Sequence, residues 1–264
     1  MKHLADLLWL LLGVSLLCGC GGGGARTSGP PPLFLDIAGN WQFSTTSTVS
    51  GTPVTIAGSI KQSGSSVRGA VHVDGSNCFD RLTTMGLTGT LTGSNISLTS
   101  TSVAGQVTSF TGSITDNTLT GTYTINGGCA DGDRGNVTGI KILTIANTLN
   151  GTFTTSGGET FDVAADVAQE SRASAEGSFG VTGTVTFSTS CFSSGTITSG
   201  TFPSGSFIIG TSVALEIETG NGTVAFLGTL NQDKGEISGD YTVFGGTCDQ
   251  TGTAVLVASS PWDY

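Results

Sequence analysis

Few residues in this chain could do covalent or metal chemistry: six cysteines (Cys18, Cys20, Cys78, Cys129, Cys191, Cys248) and two histidines, His3 and His72. His3 lies in a leader-like segment, so a Ser-His-Asp or Cys-His nucleophile system would have to be built around His72 alone. Alternation puts His72 on the polar face of its strand, away from Val71 and Val73, which predicts a solvated surface imidazole. No nucleophile elbow, phosphate-cradling loop or H-E-x-x-H occurs. Hydrolysis by two carboxylates depends on a separation that spacing along a chain does not give. Asp131-Gly132-Asp133 resembles part of a calcium loop but lacks the D-x-D-x-D-G run and the distal Glu, so it is expected to be a solvated hairpin tip. A zinc site would need histidines or closely spaced cysteines, and neither is present. The expectation is a protein that is not an enzyme and carries no metal or cofactor.

Composition narrows the class further. The 264 residues include 42 glycines, only 11% are charged, and nine Lys+Arg against nineteen Asp+Glu give a net charge of −10. So little charge and so much glycine argue against a helical bundle, and the negative balance argues against nucleic-acid binding. A hydrophobic content of 37% and a mean hydropathy of +0.19 argue against disorder.

The first residues carry Lys2 and then an apolar run, Leu7 to Leu17, too short for a membrane span and suited to a signal-peptide core. Leu17-Cys18-Gly19-Cys20 closes that run, and Gly21 to Pro32 is rich in Gly and Pro. This arrangement resembles the lipobox of bacterial lipoproteins. The resemblance implies a signal peptide over 1–19, lipidation of Cys20 by a diacylglyceryl group and a further acyl chain such as palmitate, and a tether over 20–34. Two or more chains make anchoring stable, at about 0.8 kcal/mol per buried CH₂. Gly21 in place of Asp after the cysteine is similar to family members sent to the outer membrane. The expected localisation is therefore the cell envelope, and the expected membrane contact is the N-terminal lipid.

The remainder reads as one unit written twice. Phe110-Thr-Gly112-Ser-Ile114, Leu119-Thr-Gly121-Thr-Tyr123 and Cys129 are answered by Phe226-Leu-Gly228-Thr-Leu230, Ile237-Ser-Gly239-Asp-Tyr241 and Cys248. Trp41 and Phe153 lie 112 residues apart, Cys78 and Cys191 113, Tyr123 and Tyr241 118. A tandem duplication with a few inserted loop residues gives that rising offset. Repeat 1 is placed at 35–145, repeat 2 at 146–258 and a tail at 259–264.

Within each repeat apolar residues alternate with Thr and Ser, as in Val67-x-Gly69-x-Val71-x-Val73, the period of strands with one wet face. Short turns such as Asp116-Asn117 and Asn221-Gly222 separate about eight strands per repeat in meander order. Glycines recurring on the apolar faces allow sharp bends, so two antiparallel up-and-down barrels are predicted. Gly39-Asn40-Trp41 at the head of the first strand resembles the G-x-W of lipocalins and other calycin barrels. The resemblance implies that Trp41 closes one barrel end beneath a late-strand Arg, for which Arg134 is the candidate; repeat 2 departs from the motif with Gly151-Thr152-Phe153. The chain as a whole is similar to tandem-repeat bacterial lipoproteins with Ser/Thr/Gly-rich strands. An eight-stranded barrel is filled by side chains or holds one small ligand, so Trp41, Phe110, Tyr123, Phe153, Phe226 and Tyr241 either line a ligand site or fill the core.

With Cys18 in the leader and Cys20 at the anchor, two cysteines remain per repeat. Only the pairing Cys78–Cys129 and Cys191–Cys248 respects the repeat, in a compartment that permits oxidation. Repeat 1 is near neutral, with six acidic and five basic residues, whereas repeat 2 has eleven acidic residues against Arg172 and Lys234. A membrane-spanning barrel is disfavoured, because three Tyr and three Trp cannot build two aromatic girdles and the outward positions are Thr and Ser. Two functional classes follow: a carrier for a small apolar ligand held inside a barrel, or a structural or adhesive envelope protein acting through its Thr/Ser-rich, acidic surface. No protein partner can be named from these residues.

Overall fold

A computed structural model describes residues 35–260, so the leader, Cys20, the tether and the last four residues lie outside the described residues. The first repeat forms β1 (Gly39–Thr46), β2 (Pro53–Ser63), β3 (Ser66–Asp74), β4 (Met85–Thr92), β5 (Asn95–Ser100), β6 (Val107–Thr115), β7 (Thr118–Asn126) and β8 (Arg134–Ile142). Each strand pairs antiparallel with the next, and β8 returns to β1 with Asn40 opposite Ile142, closing the barrel. Burial follows the alternation: Val67, Val71 and Leu91 are fully inside while Arg68, Thr88 and Thr90 face out.

The second repeat forms β9 (Ala146–Thr155), β10 (Thr160–Ala173), β11 (Phe179–Phe187), β12 (Ser194–Ile197), β13 (Phe207–Ile209), β14 (Ser212–Thr219), β15 (Gly222–Asn231), β16 (Glu236–Phe244) and β17 (Gln250–Ala258). Pairing of β17 with β9 and of β10 with β11 closes a barrel of eight staves. The chain is thus all-β, two closed antiparallel barrels in tandem. One stave is split: β12 and β13 both lie between β11 and β14, and residues 198–206 loop out between them. That insertion is why the offset between equivalent residues rises from Cys78/Cys191 to Tyr123/Tyr241.

Glycines on the apolar faces allow close strand approach. Gly112 and Gly121 face each other across β6 and β7, and a Cβ on either would run into the partner strand's backbone; Gly228 and Gly239 occupy the same positions in β15 and β16. Trp41 is buried at one end of the first barrel, where its Nε1 donates to Ile37 O at 2.8 Å and its ring stacks on Phe43 at 5.8 Å. Arg134 does not cover it. That residue opens β8 opposite Thr124, at the other end of the barrel, and the cation in register with Trp41 is Lys141. Lys141 instead directs its ammonium to Asp36 O at 3.3 Å.

Both disulfides form within their repeats, Cys78–Cys129 and Cys191–Cys248, with Cα separations of 5.5 and 5.8 Å. Each staples the loop after the third stave to the loop before the last strand. In the first barrel Gln106 completes the lid: its Nε2 donates to Cys78 O and its Oε1 accepts from Ala130 N, both at 2.9 Å.

Candidate functional site

The six aromatics singled out as ligand-lining or core all lie in barrel cores. Trp41, Phe110 and Tyr123 belong to the first core, with Phe43 packed between Trp41 and Phe110. Phe153, Phe226 and Tyr241 belong to the second, where Phe153 meets Tyr241 at 4.6 Å and Phe226 at 6.4 Å. Each such side chain contributes about 1.5–3 kcal/mol by leaving water. A void beside Tyr123 and Asp133 in the first barrel has a volume of about 20 Å³, room for about one water.

Asp133 is not at a solvated tip. It is buried, and its Oδ1 accepts from Thr48 N at 2.8 Å, Thr48 Oγ1 at 2.9 Å and Tyr123 Oη at 3.2 Å, tying the β1–β2 loop over the barrel end. Burial raises its pKa, but the hydrogen bonds from Ser47, Thr48 and Tyr123 outweigh that and hold the carboxyl below the usual range. The Tyr123 hydroxyl is pushed up, chiefly by burial and also by the Asp133 charge, against a hydrogen bond to Thr45 that lowers it. Tyr241, its counterpart, is pushed up by burial alone, and its Oη finds no hydrogen-bond partner among the described residues. Asp131 remains exposed and accepts from Gly127 N at 2.6 Å. Among the described residues no group of three or more His, Cys, Asp or Glu is placed to hold a metal.

His72 is also not a surface group. It does point away from the first barrel's interior, but the second barrel covers it: Nε2 lies 2.8 Å from Glu176 O and the ring packs on Phe202 at 4.4 Å, while Nδ1 lies 3.1 Å from Arg81 O in the first barrel's own β3–β4 loop. Both ring nitrogens face backbone carbonyls, of which a neutral ring donates to one, and the contacts with Glu176 and Phe202 place the imidazole in the junction between barrels.

That junction rests on residues that read in the sequence as ordinary outward positions. Asn40 and Gln42 project from β1 onto the β13–β14 turn, where Gln42 Oε1 accepts from Thr211 N at 3.0 Å and Thr211 Oγ1 at 2.8 Å. Phe207, Ile209 and Ala214 form a small apolar cluster there with Ala57 and Phe202. Two clefts adjoin this contact. One, of about 640 Å³, is bordered by Asn40, Ser59, Lys61, Lys141, Glu170 and Arg172; the other, of about 470 Å³, by Gln42, His72, Arg81, Leu82, Phe202 and Leu227. No sequence signal marks either cleft beyond the presence of the cations themselves.

No protein-family model matches the chain, and no curated protein matches it. Among solved structures, the Burkholderia oklahomensis agglutinin is 14% identical over 84% of this chain and 89% of that one, with a TM-score of 0.20. Kievitone hydratase from Nectria haematococca is 10% identical over 85% and 90%, with a TM-score of 0.23. Likenesses that low bear on neither fold nor function. The class defined by the residues themselves is a disulfide-stapled tandem β-barrel protein with two clefts at the junction between the barrels.

Proposed function

We propose that this protein is a lipid-anchored component of the bacterial envelope, held at the outer membrane through Cys20, that binds its target on outer surfaces and does not catalyse a reaction. The observation that carries this reading is the contrast in available space: a void of about 20 Å³ beside Tyr123 and Asp133 in the first barrel, against open clefts of about 640 and 470 Å³ at the junction. Pockets for small molecules commonly span about 300–1,000 Å³. A small apolar ligand carried inside a barrel would have to displace aromatics such as Phe153 and Tyr241, at several kcal/mol for each side chain moved. A reading without catalysis is supported by the burial of His72 in the junction, packed on Phe202 and beside Glu176 O. The Thr/Ser-rich outward faces and the acidic second barrel keep the molecule soluble at the end of its tether.

Native mass spectrometry of the full chain from its host's envelope tests the reading, with the denatured mass recorded alongside. The expected denatured mass includes the acyl chains, lost in Cys20→Ser together with membrane fractionation. An apolar small molecule that is retained natively, released on unfolding, and unaffected by substitutions in the clefts would overturn binding at outer surfaces. A Cys20→Ser chain that still fractionates with membranes would overturn the anchor.

A further inference from the structure

We infer that the larger cleft between the barrels is a binding site for an acidic oligosaccharide, one bearing carboxylate, sulfate or phosphate groups. This rests on the proposal that the protein binds at outer surfaces and specifies the ligand for one of them. Of Lys61, Arg68, Arg81, Arg134, Lys141, Arg172 and Lys234, the cations of the two barrels, three line this one cleft. In a chain of net charge −10 that concentration makes a local positive site, with Glu170 as the one carboxylate on its wall. Glu170 is engaged by the Ser199 hydroxyl at 2.5 Å. Lys61 Nζ lies 3.5 Å from Ala173 O and Lys141 Nζ 3.3 Å from Asp36 O, so both ammonium groups rest on backbone carbonyls and retain donors for an anion. Lys61 reaches from the first barrel to β10 of the second, and Arg172 stands on β10 itself, so the site requires both barrels.

Ser59 borders the cleft but is fully buried, and its Oγ is sealed from solvent with no hydrogen-bond partner among the described residues, so it is a cost to the fold and not a contact for the ligand. The rest of the wall suits a sugar ring: Asn117 and Thr144 offer an amide and a hydroxyl, while the aliphatic stems of Lys61, Lys141 and Arg172 offer apolar surface for its C–H face. A volume of about 640 Å³ accommodates more than one ring.

The test is calorimetric titration of the full chain in detergent with tetragalacturonate, a heparin-derived tetrasaccharide and a phosphorylated maltotetraose, with neutral maltotetraose as the control. Binding of at least one acidic probe is expected, weakened by added salt, with the neutral sugar at least about tenfold weaker. Lys61→Gln and Arg172→Gln should each reduce affinity about tenfold, and Lys234→Gln, outside the cleft, should not. Ser59→Ala, which removes a sealed hydroxyl beneath the wall, should leave affinity unchanged and thermal stability unchanged or raised. Displacement by lipopolysaccharide in the same detergent would assign the saccharide to a lipid-linked source, and no displacement to a soluble or wall-bound one. Failure of every acidic probe to bind, or equal weakening by Lys234→Gln, would overturn the site. Neutral maltotetraose binding as tightly as the acidic probes would overturn the acidic ligand while leaving binding at outer surfaces in place.

Discussion

Asn40 and Gly210, 170 residues apart, hold the two barrels together through a pair of hydrogen bonds: Asn40 Nδ2 donates to Gly210 O at 2.9 Å and Gly210 N donates to Asn40 Oδ1 at 2.7 Å. Asn40 is buried, and Gly210 turns with φ of +55°, a conformation glycine adopts without strain. The variable residue of Gly39-Asn40-Trp41 therefore serves the second barrel, while the Trp beside it plugs the first.

Asn40→Ala leaves the Gly210 N–H and C=O without their partner at the junction, so a loss of about 2–3 kcal/mol is expected in chemical denaturation. Gly210→Ala should cost at least as much, because a Cβ there would lie 2.7 Å from both Ala57 Cβ and Gln42 Oε1 in a backbone conformation that disfavours side chains. Changes below about 0.5 kcal/mol in both variants would mean that the barrels do not depend on this contact.

The two equivalent tyrosines should respond oppositely to loss of the hydroxyl. Tyr123→Phe removes a hydrogen bond to a carboxylate and is expected to cost about 1.5–3 kcal/mol. Tyr241→Phe removes a buried hydroxyl with no partner and should be neutral or stabilising. Thermal unfolding of the two variants decides it, and equal losses would contradict the hydrogen-bond assignment.

Asp133 makes the first barrel sensitive to acid. Its carboxyl is held below the usual range in the folded state, so its contribution is present above the unfolded value of about 3.9 and is lost as pH falls through the lower folded value. Unfolding temperature against pH should show the wild type ahead of Asp133→Asn near pH 6, with the gap narrowing below about pH 4. A gap that is constant across that window would assign the loss to packing instead of charge.

Reduction of the disulfides should destabilise each barrel separately. The bridges close sequence separations of 51 and 57, for which chain entropy gives about 4 kcal/mol each. Cys78→Ser with Cys129→Ser should lower the unfolding transition of the intact chain while the second bridge stays protected from alkylation. Exposure of Cys191 and Cys248 in that variant would show that the barrels unfold as one unit.

His72 is a direct probe of how far outward faces are buried. As a solvated imidazole its replacement by Ala would be nearly silent, whereas packed on Phe202 and hydrogen-bonded to Glu176 it should cost about 1–2 kcal/mol. Urea denaturation of His72→Ala distinguishes the two.

The amino-acid sequence by itself determined the strands, the repeat, the meander order and the disulfide pairing. Alternation such as Val67-Gly69-Val71-Val73 is a local property of a pleated strand with one apolar face, and duplication carries that pattern and its cysteines to matching places. Tertiary structure decided what happens on the other face. Asn40, Gln42, Ser59 and His72 carry the same polar character as the solvated Thr and Ser around them, and nothing in their neighbours along the chain shows that residues 170 or 104 positions away will cover them. Asp133 likewise sits in a Gly- and Asp-rich turn like any exposed tip, and only closure of the barrel brings Thr48 and Tyr123 to it. The inside of a barrel is specified by hydrophobic periodicity, but a junction between barrels is specified by shape and hydrogen-bond complementarity between distant surfaces, which exists only once both barrels have closed.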